Sequence, residues 1–263
     1  MKLTRRLAIL AMSAAMTTAA TLPAAADLAE IRDRGVIRIA VAMGIPQYSY
    51  IDGSMQPTGS DVETAKMLAE DLGVRLELIE ITNAARVPTV QTGKADLVVS
   101  ALGITDERKK AIDFTIPYAT LALVVAAPAD VEISDYADLT GKRIALTRAT
   151  TNDQDITENT QGADILRFED DATLITSVVS GQVDIISSQS AVIGGINERR
   201  RGGPIEIRFI QKETNLGIGM AHGNPELLAW TNEWVTTNFE NGRLREVFST
   251  YQHRELPDDL LSR

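Results

Sequence analysis

The sequence predicts an α/β protein made of two similar lobes, and three observations carry that expectation. Short apolar runs alternate with amphipathic stretches along the chain, the grammar of strands and helices layered around a largely parallel sheet. One phrase recurs: "TVQTGKADLVVS" at 89–100 and "SVVSGQVDIISS" at 177–188 agree in pattern position by position without a gap, which implies two related units. The same phrase is also common in α/β proteins without a repeat. The length is that at which one large core gives way to two smaller ones.

Taken in order, residues 1–26 carry Lys2, Arg5 and Arg6 ahead of an Ala-rich apolar run that ends in three alanines. This is the layout of a secretory signal peptide, with cleavage expected before Asp27 and export of the rest of the chain. The surroundings of Arg5-Arg6 match the twin-arginine signal poorly, so ordinary secretion is expected. Loss of this segment takes the formal charge from −10 to about −13, which argues against nucleic acid or an anionic membrane as partner. The chain has no cysteine, so disulfides, thiolate metal sites, cysteine nucleophiles and a lipid-bearing cysteine are not expected. No later segment offers the roughly 18 uninterrupted apolar residues of a spanning helix, and "TLALVVAAPADV" reads as buried strand.

"VIRIAVA" predicts the first strand. In "DVETAKMLAEDLG", Asp61 is placed to cap, Val62, Ala65, Met67, Leu68 and Leu72 form an apolar stripe, and Gly73 stops the helix. "RLELIEI", "ARVPTVQTG" and "ADLVVSA" continue the alternation. In the repeated phrase Gly93 and Gly181 fall just past helix ends, where positive φ is needed, and Asp96 and Asp184 open strands that finish at Ser100 and Ser188. Ligands of open α/β sheets gather outside the carboxyl ends of strands. If the two units face each other, Ser100 and the 187–190 stretch border one shared cleft. "NERRRGGP" at 197–204 reads as a solvated helix end and turn. Near the C-terminus Asn224 and Pro225 open a helix whose Leu227, Leu228, Trp230, Trp234, Val235 and Phe239 read as core up to Gly242.

The chemistry available is narrow. His222 and His253 are the two histidines, neither with metal-ligand spacing, so no metal site is expected. No nucleophile elbow or Walker motif appears, and "GIGMAHG" has the wrong spacing for a dinucleotide loop, so no cofactor is expected. The loop "ALGIT" leads into "DERKKAIDF", where Thr105 is placed as N-cap and Asp106 and Glu107 suit the positive helix end. Arg108, at the third helical position, can reach back toward the strand ends and share an anion with free amides around 103–105. Pairing of Arg108 with a surface acid also fits the spacing. Lys109 and Lys110 point elsewhere.

At this point the chain resembles the family-3 extracytoplasmic solute-binding proteins of ABC transporters, the polar amino-acid binding type with a two-lobed, type II periplasmic-binding fold. The residues carrying the likeness are "GVIRIAV", "TGSDVETAKMLAEDLGV", "RVPTVQTGKADLVVSALGITDERKKAIDFTIPY", "DLTGKRIALTRATTND" and "NPELLAWTNEWVTTNFENGRLREVF". The resemblance implies a discontinuous first lobe, 27–119 with 216–263, and a second lobe, 120–215, each a mixed sheet flanked by helices, joined by two hinge crossings and closing like a Venus flytrap. It implies that Arg108 clamps a ligand carboxylate with help from Ser100, Gly103 and Thr105, while Thr150, Thr151 and Asn152 close from the opposite lobe. Tyr48 stands at a position shared with the family. Arg86 sits where relatives that take acidic amino acids place an arginine for a second carboxylate; a structural salt bridge is the alternative. The resemblance departs at Gln189, which stands where amino-acid binders have an aspartate for the ligand ammonium, and a neutral amide cannot supply that charge. Ala42, Ile45 and Ser60 also replace common family residues.

The expectation is therefore a monomeric, non-enzymatic periplasmic receptor for a small carboxylated solute, handing it to an ABC permease in the inner membrane. An acidic or polar amino acid or close derivative comes first, an amine-free keto acid or dicarboxylate second. The rival is a dehydratase of the same fold acting on cyclic carboxylates, which needs a general acid in the cleft. No carboxylate at such a position is evident from the sequence.

Overall fold

The computed structural model describes residues 27–263, so the expected signal peptide lies outside the described residues. In the first lobe α1 (Leu28–Arg34) leads into β1 (Val36–Ala42), followed by the hairpin of β2 (Tyr50–Ile51) and β3 (Pro57–Thr58). Then come α2 (Ser60–Leu72), β4 (Arg75–Ile81), α3 (Arg86–Gln91), β5 (Leu97–Val98), α4 (Asp106–Lys109) and β6 (Asp113–Phe114). β7 (Ala119–Pro128) carries the chain into the second lobe, where β8 (Arg143–Thr147), α5 (Thr151–Asn159), β9 (Asp164–Phe168), α6 (Asp171–Val179), β10 (Ile186–Gln189) and α7 (Ser190–Asn197) follow. β11 (Ile205–Leu216) returns it to β12 (Gly219–Met220), α8 (Pro225–Glu240) and α9 (Arg243–Gln252).

Two five-stranded sheets result, β4-β1-β5-β12-β6 and β11-β7-β10-β8-β9. They are mixed, as the two-lobed family fold implies, where the alternation of runs alone suggested a largely parallel sheet: β1 pairs β4 and β5 in parallel, but β12 runs against β5, and β7 runs against both β10 and β11. The cause is the pair of crossings, since two antiparallel chain passages between lobes leave one strand of opposite sense in each sheet. Each sheet is covered by its own apolar cores. Ile37, Ile39, Val62, Leu68, Trp234 and Phe248 belong to the first lobe's largest, and Val124, Leu174, Ile186 and Ile193 to one of the second's.

The repeated phrase keeps its order of helix, glycine and strand in both copies, but its strands, Leu97–Val98 and Ile186–Gln189, do not have the expected bounds 96–100 and 184–188. Gly93 (φ 67°) and Gly181 (φ 75°) adopt the left-handed region just past α3 and α6, and each phrase then enters its sheet at β5 or β10. The capping expectation for α2 fails: the cap is Gly59, whose φ of 118° and whose position against the Tyr48 carbonyl, where a Cβ would clash, leave room for glycine alone. Asp61 instead turns inward, accepting from the Ala101 amide at 2.7 Å and the Tyr118 hydroxyl at 2.7 Å. Asn224 stands at the cap of α8 with Pro225 following, but its side chain makes no cap bond. In the basic cluster Arg200 is not solvated; its side chain is buried against Asp184.

Candidate functional site

The lobes meet along the loops that follow the carboxyl ends of β4, β5 and β8. Thr105 accepts from the Arg108 amide at 3.2 Å and so caps α4, as expected. That one-turn helix turns the half-buried Arg108 back over the loop, where Nη1 donates to the Gly103 carbonyl at 2.8 Å and Nη2 crosses to the Ala149 carbonyl of the second lobe at 2.9 Å. Arg86, 3% exposed at the start of α3, donates through Nε to Asn83 O at 2.9 Å and through Nη1 to Ser100 O at 3.1 Å and Ala101 O at 3.3 Å. Its Nη2 also reaches Ala149 O, at 3.3 Å. Two cations thus converge on one carbonyl, that of a residue held at φ 57°.

Neither guanidinium forms an ion pair with a carboxylate among the described residues. Burial pulls the Arg108 guanidinium down to about 9, with the Arg86 charge adding to the fall and Glu107 opposing it. Burial likewise lowers Arg86 to about 10 against the pull of Asp171 and Asp61. The salt-bridge alternative raised for both arginines is therefore not what the structure contains. A cavity of about 520 Å³ opens beside them, lined by Asn83, Arg86, Thr105, Arg108, Ala149 and Thr150 among others.

The remaining expected residues are distributed unevenly. Ser100 is fully buried, its Oγ accepting from the Ala42 amide at 2.8 Å. Gly103 is wedged between the lobes, where a Cβ would lie 2.7 Å from Thr214 Cγ2 and 2.8 Å from Thr151 Cγ2. The amides around it are not all free, because Ile104 N donates to Asn215 O at 2.9 Å. Thr150 is the N-cap of α5, accepting from Asp153 N at 3.2 Å. Thr151 is buried at the first position of that helix.

Two expectations are corrected by packing, those for Asn152 and Tyr48. Asn152 donates to Ser187 Oγ at 2.9 Å and Ser188 O at 3.1 Å, which commits it to a network inside the second lobe that continues through Gln211 to Asp155. Tyr48 is 1% exposed in the first lobe's core, with its hydroxyl beside Arg254. Gln189 is buried at the end of β10, and its Nε2 has no partner among the described residues.

The structure adds two residues that sequence reasoning missed. Asp171, at the start of α6, is 4% exposed and accepts from Thr147 Oγ1 at 3.1 Å. Its other oxygen accepts from Asn83 Nδ2 of the first lobe at 2.9 Å. Burial raises its carboxyl above the usual range, opposed by the Asn83 and Thr147 hydrogen bonds and by Arg86. In "EDDAT" the preceding residue, Asp170, caps α6 by accepting from Thr173 N at 2.7 Å. Only the contact between lobes separates Asp171 from its neighbour.

The profile of bacterial extracellular solute-binding proteins, family 3, matches residues 37–254. The chain belongs to this family. Among solved structures it resembles an ancestral amino acid-binding protein described as a precursor of cyclohexadienyl dehydratase, at 32% identity and a TM-score of 0.78, over 85% of this chain and 98% of that one. It also resembles a solute receptor for L-cysteine of Neisseria gonorrhoeae, at 29% identity and a TM-score of 0.79, over 86% and 93% of the two chains. An L-cystine-binding protein of Escherichia coli (strain K12) is 24% identical over 223 residues, 84% of each chain. A glutamine-binding protein of an ABC transporter of Bacillus subtilis (strain 168) is 25% identical over 233 residues, 85% of this chain and 84% of the relative. The mixed sheets, two crossings and interlobe cleft of this family-3 protein are those of the type II periplasmic-binding fold.

Proposed function

We propose that this family-3 protein is the extracytoplasmic receptor of an ABC uptake transporter, closing over a small carboxylated solute, an amino acid or close derivative, and presenting it to a permease as a monomer. The observation that carries this reading is the pair of guanidiniums, Arg86 buried and Arg108 half-buried, that share one backbone carbonyl and hold no carboxylate among the described residues. A charge left so poorly matched in a low-dielectric cleft favours an anionic ligand, and a planar guanidinium suits a carboxylate edge-on. All three nitrogens of Arg86 already donate to backbone carbonyls, so the clamp is assigned to Arg108 and a supporting role to Arg86. The relatives named for cystine, cysteine and glutamine support an amino acid in particular.

The test is calorimetry against amino acids, keto acids and dicarboxylates, with Arg108→Ala beside the wild type. The substitution is expected to cost about 2 to 5 kcal/mol in affinity for the ligand found. Unchanged affinity would overturn the assignment. A second reading has one specific observation in its favour: Asp171 is a buried carboxyl at the cleft with its proton affinity raised, the property a dehydratase requires of a general acid. Turnover of prephenate or arogenate by the purified protein would replace the receptor reading with that one.

A further inference from the structure

Resting on the reading of Arg108 as the carboxylate clamp, we propose that Asp171 and Asn83 form a subsite, split between the lobes, for a cationic N–H group of the same ligand.

The chemistry of unused acceptors leads there. An ionised carboxylate offers about four acceptor sites, and Asp171 has one hydrogen bond on each oxygen, from Thr147 and from Asn83. The amide of Asn83 is oriented by that contact, because turning it over would set its oxygen against the carboxylate. Its Oδ1 then has no donor among the described residues, although Asn83 is only 4% exposed. Buried acceptors without donors are rare in folded proteins. A carboxylate and an orphaned amide oxygen side by side ask for one group that brings several N–H donors and a positive charge, which describes an ammonium or a guanidinium.

Charge and position agree. Asp171 opens the nine-residue helix α6, whose N-terminal dipole favours an anion there. Arg86 and Arg108 bring two cations to the interlobe layer, and Arg86 acts on Asp171 through space without a hydrogen bond to it. A ligand with its carboxylate at Arg108 and its cation at Asp171 would complete both halves of the layer. Because Asn83 belongs to the first lobe and Asp171 to the second, the cation also ties closure to its own presence. Gln189 has the opposite deficiency. Its buried Nε2 is a donor without an acceptor, so it suits a ligand oxygen, and the charge that the sequence withheld at position 189 is supplied at position 171.

The test uses calorimetry on the whole chain with two probe pairs. L-Glutamine and glutaramate differ by the α-ammonium; L-arginine and L-norvaline differ by the side-chain guanidinium. In at least one pair the cation-bearing member is expected to bind about 100-fold more tightly to the wild type, and that pair identifies which cation is read. Asp171→Asn, close in shape and still able to accept from Thr147, should reduce the ratio to below about tenfold while leaving the cation-free member little changed. Asn83→Ala, altering the other lobe, should reduce the same ratio by a smaller factor, with thermal melts of both variants confirming a folded chain. A ratio preserved in Asp171→Asn, or a wild type indifferent to both cations, overturns the proposal. Arg108→Ala separates it from the reading on which it rests: loss of both members of a pair upholds the clamp whatever Asp171 does, and no loss strikes the clamp itself.

Discussion

Asp61 shows how one side chain can change its role between sequence and structure. Its position before an apolar stripe suits a helix cap, yet it lies at the second position of α2 and is fully buried. There it ties the Ala101 amide and the Tyr118 hydroxyl to the helix. Burial lifts its carboxyl to about 7, against the two hydrogen bonds and the Arg86 charge. The folded protein therefore holds this proton to a higher pH than the unfolded chain does. Its contribution to stability is greatest below the unfolded value near 4 and is lost as pH rises toward 7. Denaturant melts of the wild type and Asp61→Asn should show a stability difference that falls over that window and is flat above it; a difference independent of pH would contradict the assignment.

Among the elements, the short ones around the cleft carry most of the positional information. α4 is a single turn, too short to persist alone, and its place is imposed by the Thr105 cap, by Ile104 on Asn215 and by the return of Arg108 to Gly103. α5 faces it from the second lobe behind the Thr150 cap, whose hydroxyl also donates to Thr147 O at 2.7 Å. Thr150→Ala should lower stability by about 1 kcal/mol through the lost cap, visible as a shift of the urea midpoint, and should weaken ligand binding far less than Arg108→Ala. A loss of affinity as large as that of the arginine variant would make Thr150 a direct ligand contact instead. Helices and strands with a strong apolar period were legible in advance: β1, α2, β4 and α8 all fall where the pattern puts them. The two-residue strands β5 and β12 were less so, because their pairing is set by neighbours from distant parts of the chain.

At the scale of the molecule, the lobes touch closely enough for covalent chemistry to test the contact. A Cβ on Gly44 would lie 3.2 Å from the Ala172 Cβ across the interface, slightly inside the roughly 3.5–4.5 Å span of a disulfide. The chain has no cysteine of its own to interfere. Gly44→Cys with Ala172→Cys, once oxidised, should hold the lobes together and slow ligand association by about 100-fold or more, with reductant restoring the wild-type rate in stopped-flow measurements. Association at the wild-type rate in the oxidised form would show that ligand enters without parting the lobes at this point.

By itself the sequence determined the α/β class, the repeated helix-Gly-strand unit, the capped turn that presents Arg108 and the family resemblance. These rest on periodicity, turn chemistry and local spacing, and local physics is written in consecutive residues. Only the tertiary structure decided which polar residues face the cleft. Asn152 and Tyr48 turned into their own lobes because partners distant in sequence satisfied them there. Asn83 and Asp171, 88 positions apart, became neighbours because two crossings bring the strand ends of both sheets together, a contact that no pattern within either segment encodes.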